Sequence, residues 1–299
     1  MISPPVVVGI IDIGSNTARL LVASVSGEGV GELHRDRRYL RLGDDVHALG
    51  RIGARKVKEA ARVAKAFART ARKAGACEVE TIVTAPGRQA SNGVELVAAL
   101  ATSTRASVVQ LSGDDEGRLA WHGAVARAPN LPETIAVVDL GGGSCELAVG
   151  GSEHGPTWVR SVDAGALRIT REYLGSARPG PREVQRARDG IRRLVQELDA
   201  PVPDATLVVG GTARAIRRVI GSRFSSDQLE ELATMLERVP VDSIVASYGV
   251  THERAQTLLG GTLVLAELAY RLDSTLEVGQ GGLREGAALS LARSVETAA

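Results

Sequence analysis

Two stretches of this sequence repeat one pattern: residues 9–22 read GIIDIGSNTARLLV, and residues 136–149 read AVVDLGGGSCELAV. An offset of 127 residues aligns Asp12 with Asp139 and Thr17 with Ser144. Each stretch is an apolar strand, a turn of small residues that opens with Asp, and a second apolar strand. This order predicts a β-hairpin with a small tip, and the chain therefore contains two copies of one supersecondary unit.

A second pair of stretches supports the duplication. Residues 81–88 read TIVTAPGR and residues 207–214 read LVVGGTAR. Each predicts a strand, a turn that contains glycine, and an arginine near the start of a helix. Strands that alternate with helices indicate the α/β class, and the two halves meet near residues 125–133. Helices are predicted at 53–74, 114–127, 181–199, 226–237, 251–271 and 284–295.

The composition excludes several classes of function. The 299 residues carry a formal net charge of +1, so no global basic field favours nucleic-acid binding. Cys77 and Cys145 are the only cysteines in the sequence, which leaves no disulfide framework and no zinc spacing. No apolar run reaches the length of a membrane span or a signal peptide. We therefore predict a cytoplasmic protein without nucleic-acid or membrane partners.

The two predicted hairpin tips are suited to an anion, because small residues let backbone N–H groups approach a phosphate. The leading carboxylates, Asp12 and Asp139, would repel phosphate unless they bind Mg²⁺ or orient water. Two tips that face each other across a cleft would clamp one phosphate, whereas the structural alternative is two ordinary tight turns. The candidate phosphate-binding residues of the tips are Ser15, Asn16, Thr17, Gly141, Gly142, Gly143 and Ser144.

Two further glycine-rich segments carry polar groups suited to phosphate. Gly211 and Thr212 follow a predicted strand and precede a helix, which is the geometry for an anion at a helix N-terminus. Residues 281–286 read GGLREG. There, Arg284 either meets a phosphate or pairs with Glu285.

Residues 112–118 read SGDDEGR and supply a candidate general base. Phosphoryl transfer to water needs a group that accepts the proton of the attacking water. Asp114, Asp115 and Glu116 compete for that role. An acidic helix N-terminus, stabilised by the helix dipole, is the structural alternative.

In this order, the motifs resemble those of the Ppx/GppA phosphatases, which comprise exopolyphosphatases and guanosine pentaphosphate phosphohydrolases. Residues 12–20 look like the first phosphate loop of the family, and residues 139–146 look like its second. Residues 112–119 are similar to the segment that holds its catalytic Glu. The remaining matches are Ser161, Gly165, Arg168, Gly210, Gly211, Thr212 and residues 282–286. The resemblance covers nearly the whole chain.

The resemblance implies an α/β fold of two actin-like lobes with an interlobe active-site cleft, in the ribonuclease H-like superfamily of acetate and sugar kinases, Hsp70 and actin. We expect residues 1–126, with the C-terminal helix 284–299, to form one lobe and residues 127–283 to form the other. The resemblance also implies that Glu116 is the general base that activates water. Arg88 and Arg284 join the tips and the 211–212 turn as phosphate-binding residues, and Mg²⁺ lies near Asp139 and Glu146, with Asp12 as a further candidate ligand.

The implied reaction is hydrolysis of terminal phosphoanhydride bonds of inorganic polyphosphate, with release of orthophosphate. The chain has the length of the short two-domain members, which favours short polyphosphates and leaves a homodimer open. Hydrolysis of guanosine pentaphosphate (pppGpp), a kinase activity and a non-enzymatic regulator that binds polyphosphate or an alarmone are the alternatives. One departure from the family pattern is Pro86, which puts the backbone before Arg88 in doubt.

Overall fold

The computed structural model describes residues 4–27, 29–175 and 179–298. The chain forms two compact units: unit 1 comprises Met1–Arg127 with Gly281–Ala299, and unit 2 comprises Ala128–Gln280. Arg127 donates a hydrogen bond to the carbonyl oxygen of Val30, and the backbone of Gly281 lies against Gly123. The chain passes between the units at 127/128 and at 280/281. The boundaries expected from the sequence are 126/127 and 283/284.

Unit 1 contains a five-stranded sheet in the order β3-β2-β1-β4-β5. Strands β1, β2 and β3 are antiparallel neighbours, whereas β1, β4 and β5 run parallel. The strands are β1 Val6–Ile13, β2 Thr17–Ser26, β3 Gly29–Tyr39, β4 Glu78–Val83 and β5 Ser107–Gln110. The helices are α1 Leu42–Leu49, α2 Ala54–Lys73, α3 Ala85–Gln89, α4 Gly93–Thr104, α5 Gly113–Val125 and the C-terminal α13 Leu283–Ala298.

The central strands of this sheet are buried on both faces. Successive side chains of a strand point to opposite faces. Ile11 and Leu20 therefore pack with α2 and α4, while Ile10 and Leu21 pack with α5 and α13. A Cβ atom on Gly286 would collide with the backbone of α5, so glycine allows α13 to lie close to α5 and completes this core.

Unit 2 contains a six-stranded sheet in the order β10-β11-β9-β6-β7-β8. Its strands are β6 Thr134–Leu140, β7 Cys145–Gly151, β8 Gly155–Val162, β9 Ala205–Val209, β10 Arg223–Phe224 and β11 Leu276–Val278. Its helices are α6 Ala166–Ile169, α7 Pro181–Val195, α8 Gly211–Ile220, α9 Ser226–Arg238, α10 Val241–Tyr248, α11 His252–Ala255 and α12 Leu258–Arg271, with a π-helical turn at Thr170–Leu174.

The two sheets confirm the internal repeat. In each unit, three antiparallel strands in sequence order are followed by two parallel strands on the other side of the first. Unit 2 adds only the short β10 at its edge. Asp12 and Asp139 occupy the same position, one residue before the end of β1 and of β6.

Two local features differ from expectation or resolve a doubt. The predicted helix 251–271 is divided into α11 and α12. Thr257, where the helix breaks, turns its hydroxyl back onto the carbonyl oxygen of Arg254 at 3.3 Å, a local bond that competes with helix continuation. Pro86 lies in the first turn of α3, where a missing N–H costs nothing.

Candidate active site

The two hairpin tips are closed in the same way. In unit 1 the N–H of Gly14 donates to the carbonyl oxygen of Thr17 at 3.0 Å, and in unit 2 the N–H of Gly141 donates to that of Ser144 at 3.1 Å. Both bonds span the four-residue tip that joins the first and second strands of the unit. The sequence repeat is therefore also a repeat of backbone conformation.

The carbonyl groups of the first tip are held by the chain that follows β3. The N–H groups of Leu40 and Arg41 both donate to the oxygen of Asn16 at 3.0 Å, and the N–H of Gly43 donates to that of Ser15 at 2.7 Å. Because the C=O and N–H of a peptide group point in opposite directions, these bonds point the N–H groups of Asn16 and Thr17 away from the segment that follows β3. Consecutive N–H groups arranged in this way form an anion-binding concavity.

The second tip is held by the chain that follows β8. The N–H groups of Leu167 and Arg168 donate to the oxygen of Gly142 at 3.0 Å, and Nε of Arg168 donates to that of Gly143 at 3.2 Å. A Cβ on Gly165 would overlap the backbone at Gly142 and Gly143, so this approach requires glycine. Ser144, the last residue of the tip, is buried. Both units thus present a tip whose carbonyl oxygens are tied inward.

Ser15 carries a buried hydroxyl in the first tip. The residue is only 4% exposed, and within the described part of the chain its Oγ has no hydrogen-bond partner. A buried hydroxyl left unpaired costs free energy. A phosphate oxygen at the tip would supply the missing partner.

The carboxylate of Glu116 is buried beside a guanidinium. Nη1 of Arg88 donates to Oε2 of Glu116 at 2.8 Å and to the carbonyl oxygen of Leu111 at 3.0 Å. Glu116 is 6% exposed. Asp115, its competitor in the sequence, is exposed and accepts a hydrogen bond from the Ser112 hydroxyl at 2.6 Å. The structure thus separates an exposed carboxylate of the first helical turn, Asp115, from the buried, paired carboxylate of Glu116.

The topology of unit 1 brings the first tip, Arg88 and Glu116 to one edge of the sheet. Strands β1, β4 and β5 are parallel neighbours, so their carboxyl ends meet at the same edge. The N–H of Thr84, just after β4, donates to the oxygen of Ile13 at 3.2 Å, and the N–H of Leu111, after β5, donates to that of Val83 at 3.0 Å. The tip follows β1, Arg88 follows β4 and Glu116 follows β5.

A buried charge cluster lies at the same end of β1. Asp12 faces Arg19 across the β1–β2 pair, and Nε of Arg19 donates to the hydroxyl of Thr17 at 3.1 Å. Burial raises the pKa of Asp12, although Arg19 and Arg284 oppose that shift. Arg284 is 7% exposed, and no hydrogen bond or ion pair to its guanidinium occurs among the described residues. Burial and the neighbouring Arg19 lower the pKa of Arg284.

The corresponding position in unit 2 holds two carboxylates. Asp139 faces Glu146 across the β6–β7 pair, so Glu146 occupies the place that Arg19 holds in unit 1. The Ser161 hydroxyl donates to Oε1 of Glu146 at 2.8 Å. Cross-strand neighbours lie about 5 Å apart at Cβ, so the two carboxylates share one face of the sheet.

The turn between β9 and α8 lies beside this carboxylate pair. Gly210 has φ 98°, and a Cβ there would lie 3.1 Å from Oδ1 of Asp139, so glycine is required. Nη1 of Arg254 donates to the hydroxyl of the fully buried Thr212 at 3.2 Å, and its guanidinium lies over Gly211.

The predicted site residues therefore form one group in each unit. Unit 1 holds Asp12, Ser15, Asn16, Thr17, Arg88, Glu116 and Arg284; unit 2 holds Asp139, Gly141, Gly142, Gly143, Ser144, Glu146, Gly211 and Thr212. Two further arginines, Arg19 and Arg254, join these groups, and neither was predicted from the sequence as a site residue. Arg19 stood inside the first motif, whereas Arg254 offered no signal beyond its place near the start of a predicted helix.

Two absences among the described residues bear on partners. No group of three or more His, Cys, Asp or Glu side chains is arranged there to hold a metal ion. Among the same residues, no helix combines the length and the apolar character that crossing a membrane requires.

The fold and the paired tips define an α/β protein with two phosphate-type loops in repeated units. The model of the Ppx/GppA phosphatase family matches residues 21–295. The chain belongs to the Ppx/GppA phosphatase family, as its motifs predicted.

Similar proteins agree with this assignment. Exopolyphosphatase 1 of Mycobacterium tuberculosis is 29% identical over 304 residues, which cover 93% of this chain and 86% of that protein. The crystal structure of an exopolyphosphatase-like protein aligns with a TM-score of 0.88 at 23% identity, over 98% of this chain and 100% of the other. A Ppx/GppA family member from Aquifex aeolicus aligns with a TM-score of 0.81 at 23% identity, over 98% and 99%. These alignments confirm the predicted α/β fold class.

Proposed function

We propose that this protein is an exopolyphosphatase, which hydrolyses the terminal phosphoanhydride bond of inorganic polyphosphate and releases orthophosphate. The observation that carries the proposal is the buried Glu116–Arg88 pair at the sheet edge that also bears the first tip. Relatives named exopolyphosphatase that align over most of their length support the choice of substrate.

Glu116 is the general base in this proposal. The oxygen of a water molecule forms a bond to the terminal phosphorus while the anhydride P–O bond breaks, and the departing oxygen stays on the shortened chain as an anion. Glu116 accepts the proton of the water and later returns it to solvent. Arg88 holds one carboxylate oxygen, Oε2, and thereby fixes the orientation of the carboxylate.

Two of the groups that bind the terminal phosphate in this proposal have no hydrogen-bond partner among the described residues. The Ser15 hydroxyl is buried and unpaired within the described residues, and the Arg284 guanidinium is buried near Arg19. Two cations so close together repel each other, and a phosphate would relieve both the repulsion and the burial of unpaired donors. Asn16 and Thr17 complete the set in unit 1. In unit 2 the 141–144 tip and the Gly211–Thr212 turn offer their own N–H and hydroxyl groups to phosphate oxygens.

Mg²⁺ fits the Asp139–Glu146 pair better than it fits Asp12. Mg²⁺ is usually held by one or two carboxylates together with substrate phosphates, and a cross-strand pair of carboxylates supplies that donor set. Asp12 has two arginines as neighbours and a raised pKa, and both features disfavour a cation. When bound, Mg²⁺ would neutralise charge on the phosphate oxygens. The Ser161 hydroxyl orients Glu146 for this role.

The experiment compares phosphate release from polyphosphates of defined length and from pppGpp, each with and without Mg²⁺. The proposal predicts Mg²⁺-dependent release of orthophosphate from polyphosphate at a higher kcat/KM than from pppGpp. A higher kcat/KM for pppGpp would identify a guanosine pentaphosphate phosphohydrolase instead. Binding of either compound without any release would identify a regulator and overturn the proposal.

A further inference from the structure

The edge strand β3 carries a row of arginines beside the first tip. Its last seven residues, 33–39, read LHRDRRY, and most of the strand is exposed. In the β2–β3 pairing Arg37 faces Arg19 and Arg35 faces Leu21, whereas Arg38 faces Ala18. Because side chains alternate along a strand, Arg35 and Arg37 share one face and Arg38 lies on the other.

The face with Arg35 and Arg37 is the one that carries the buried charge cluster. Arg19 faces Asp12 on that side of the sheet, and Nη2 of Arg35 lies 3.1 Å from Oε1 of Glu285 on α13. Nη2 of Arg35 also lies 2.5 Å from Oε2 of Glu32, so with Arg284 included four arginines meet three carboxylates on this face.

Arg37 and Arg38 are adjacent, but their side chains are held differently. Nη1 of Arg38 lies 2.7 Å from Oδ1 of Asp36, so its charge is matched. The guanidinium of Arg37 lies 5.1 Å from the centroid of the Tyr39 ring, and none of the described carboxylates forms an ion pair with it. Arg37 is therefore an exposed guanidinium available to an anion, and it is oriented by an aromatic ring.

The end of β3 is fixed to the tip. The chain immediately after the strand donates three backbone hydrogen bonds to the oxygens of Ser15 and Asn16. Along the strand, Arg35 follows Arg37 at about 6.8 Å, twice the rise of one residue. The two arginines therefore form a row that begins beside the tip and leads away from it along the edge of the sheet.

We propose that this face of β3, with Arg37 as its phosphate-binding group, is a subsite for the phosphates of a linear polyphosphate that remain behind the terminal one. The inference rests on the proposed exopolyphosphatase activity and adds to it where the rest of the chain is bound. Arginine matches phosphate oxygens with a planar, two-pronged set of donors. The competing explanation is that charges on an edge strand prevent pairing with other chains, and that role would not distinguish Arg37 from Arg38.

The test compares Arg37→Gln with Arg38→Gln, which removes the same charge one residue away on the opposite face. Both residues are exposed, so both variants should fold with wild-type thermal stability. We expect Arg37→Gln to raise KM for long-chain polyphosphate about tenfold, because one charge-assisted hydrogen bond is lost. KM for tripolyphosphate should rise by a smaller factor, and kcat for both substrates should stay within about twofold. Arg38→Gln should change none of these constants.

Salt dependence gives a second readout. The slope of log KM for the long chain against log salt concentration should become shallower by about 0.7 to 1 for Arg37→Gln. Equal KM values for the two variants, or an equal loss with tripolyphosphate and the long chain, would overturn the subsite.

Binding of long-chain polyphosphate, measured by calorimetry, separates this inference from the proposed function. Weaker binding by Arg37→Gln than by Arg38→Gln supports the subsite even if wild-type protein releases no phosphate. Equal binding by both variants, with normal wild-type turnover, rejects the subsite and leaves the exopolyphosphatase proposal intact.

Discussion

Arg88 and Glu116 are joined at 2.8 Å by the same nitrogen that donates to the carbonyl oxygen of Leu111 at 3.0 Å. The guanidinium therefore connects the carboxylate of Glu116 to the end of β5, in addition to balancing its charge. Such a contact restricts the rotamers of Glu116, so Arg88 determines the orientation of its carboxylate. In the proposed reaction, Arg88 is thus a positioning residue for the general base as well as a phosphate ligand.

Replacing Arg88 by Gln should lower kcat by about one to two decades. This is the range expected when a hydrogen bond to a charged group, about 1.5 to 3 kcal/mol, is lost in the transition state. Steady-state release of phosphate measures it, with Arg118→Gln as a control at an exposed position of α5. In a double-mutant cycle with Glu116→Gln, the effects should be far from additive. Additive losses would mean that the two residues act separately.

Much of this site could be predicted from the sequence, because it lies in short local motifs. The 127-residue offset predicted two matching hairpins, and in the structure the same backbone hydrogen bond, at Gly14 and at Gly141, closes both tips. Glycine content and strand periodicity are properties of neighbouring residues, so one sequence reveals them. The choice of Glu116 over Asp115 needed the family resemblance, since both belong to the same helix start and only burial separates them.

Replacing Arg284 by Met should stabilise the protein while it weakens phosphate binding. A buried cation without a hydrogen-bonded partner costs free energy that an apolar side chain does not. We expect a rise in Tm of about 2 to 4 °C, together with loss of the Tm increase that added phosphate gives the wild type.

The control for this variant is Arg293→Met, which changes an exposed arginine of the same helix. It should retain the phosphate-dependent shift. A lower Tm for Arg284→Met would show that the arginine is part of the core and not a ligand.

Replacing Asp12 by Asn should change how stability depends on pH. The folded-state pKa of Asp12 is raised above its ordinary value of 3.8, chiefly by burial. The contribution of Asp12 to wild-type stability is therefore fully present below pH 3.8 and is lost as the pH rises through the raised pKa of the folded state. Asn has no proton to lose, so the Tm of the variant minus that of the wild type should increase with pH above 3.8. Thermal melts over this range measure the difference, and a constant or decreasing difference would contradict the account.

Replacing Glu146 by Gln should raise the Mg²⁺ concentration required for half-maximal activity by about tenfold or more, because one carboxylate ligand is lost. Ser161→Ala removes only the hydrogen bond that orients Glu146 and should have a smaller effect in the same direction. Glu153→Gln, at an exposed position, serves as the control. An unchanged Mg²⁺ requirement in Glu146→Gln would remove the Asp139–Glu146 pair from the proposal.

The features that escaped prediction depend on contacts distant in sequence. The sequence of β3 does not predict a strand because it is rich in charged residues. Its exposed residues do not alternate with buried ones, as those of a half-buried strand do. Arg254 lies on the Gly211–Thr212 turn only because α11 packs beside α8. The burial of Arg284 likewise depends on α13 returning to unit 1 from the end of the chain.

The most direct test of the account is orthophosphate release by Glu116→Gln, with Asp114→Asn as the control on the exposed side of the same helix start. Glutamine keeps the size of the side chain but cannot accept the proton of water. We predict that kcat falls by about two to four decades while KM for polyphosphate changes little, and that Asp114→Asn retains wild-type turnover. Near-wild-type release by Glu116→Gln would contradict the assignment of the general base.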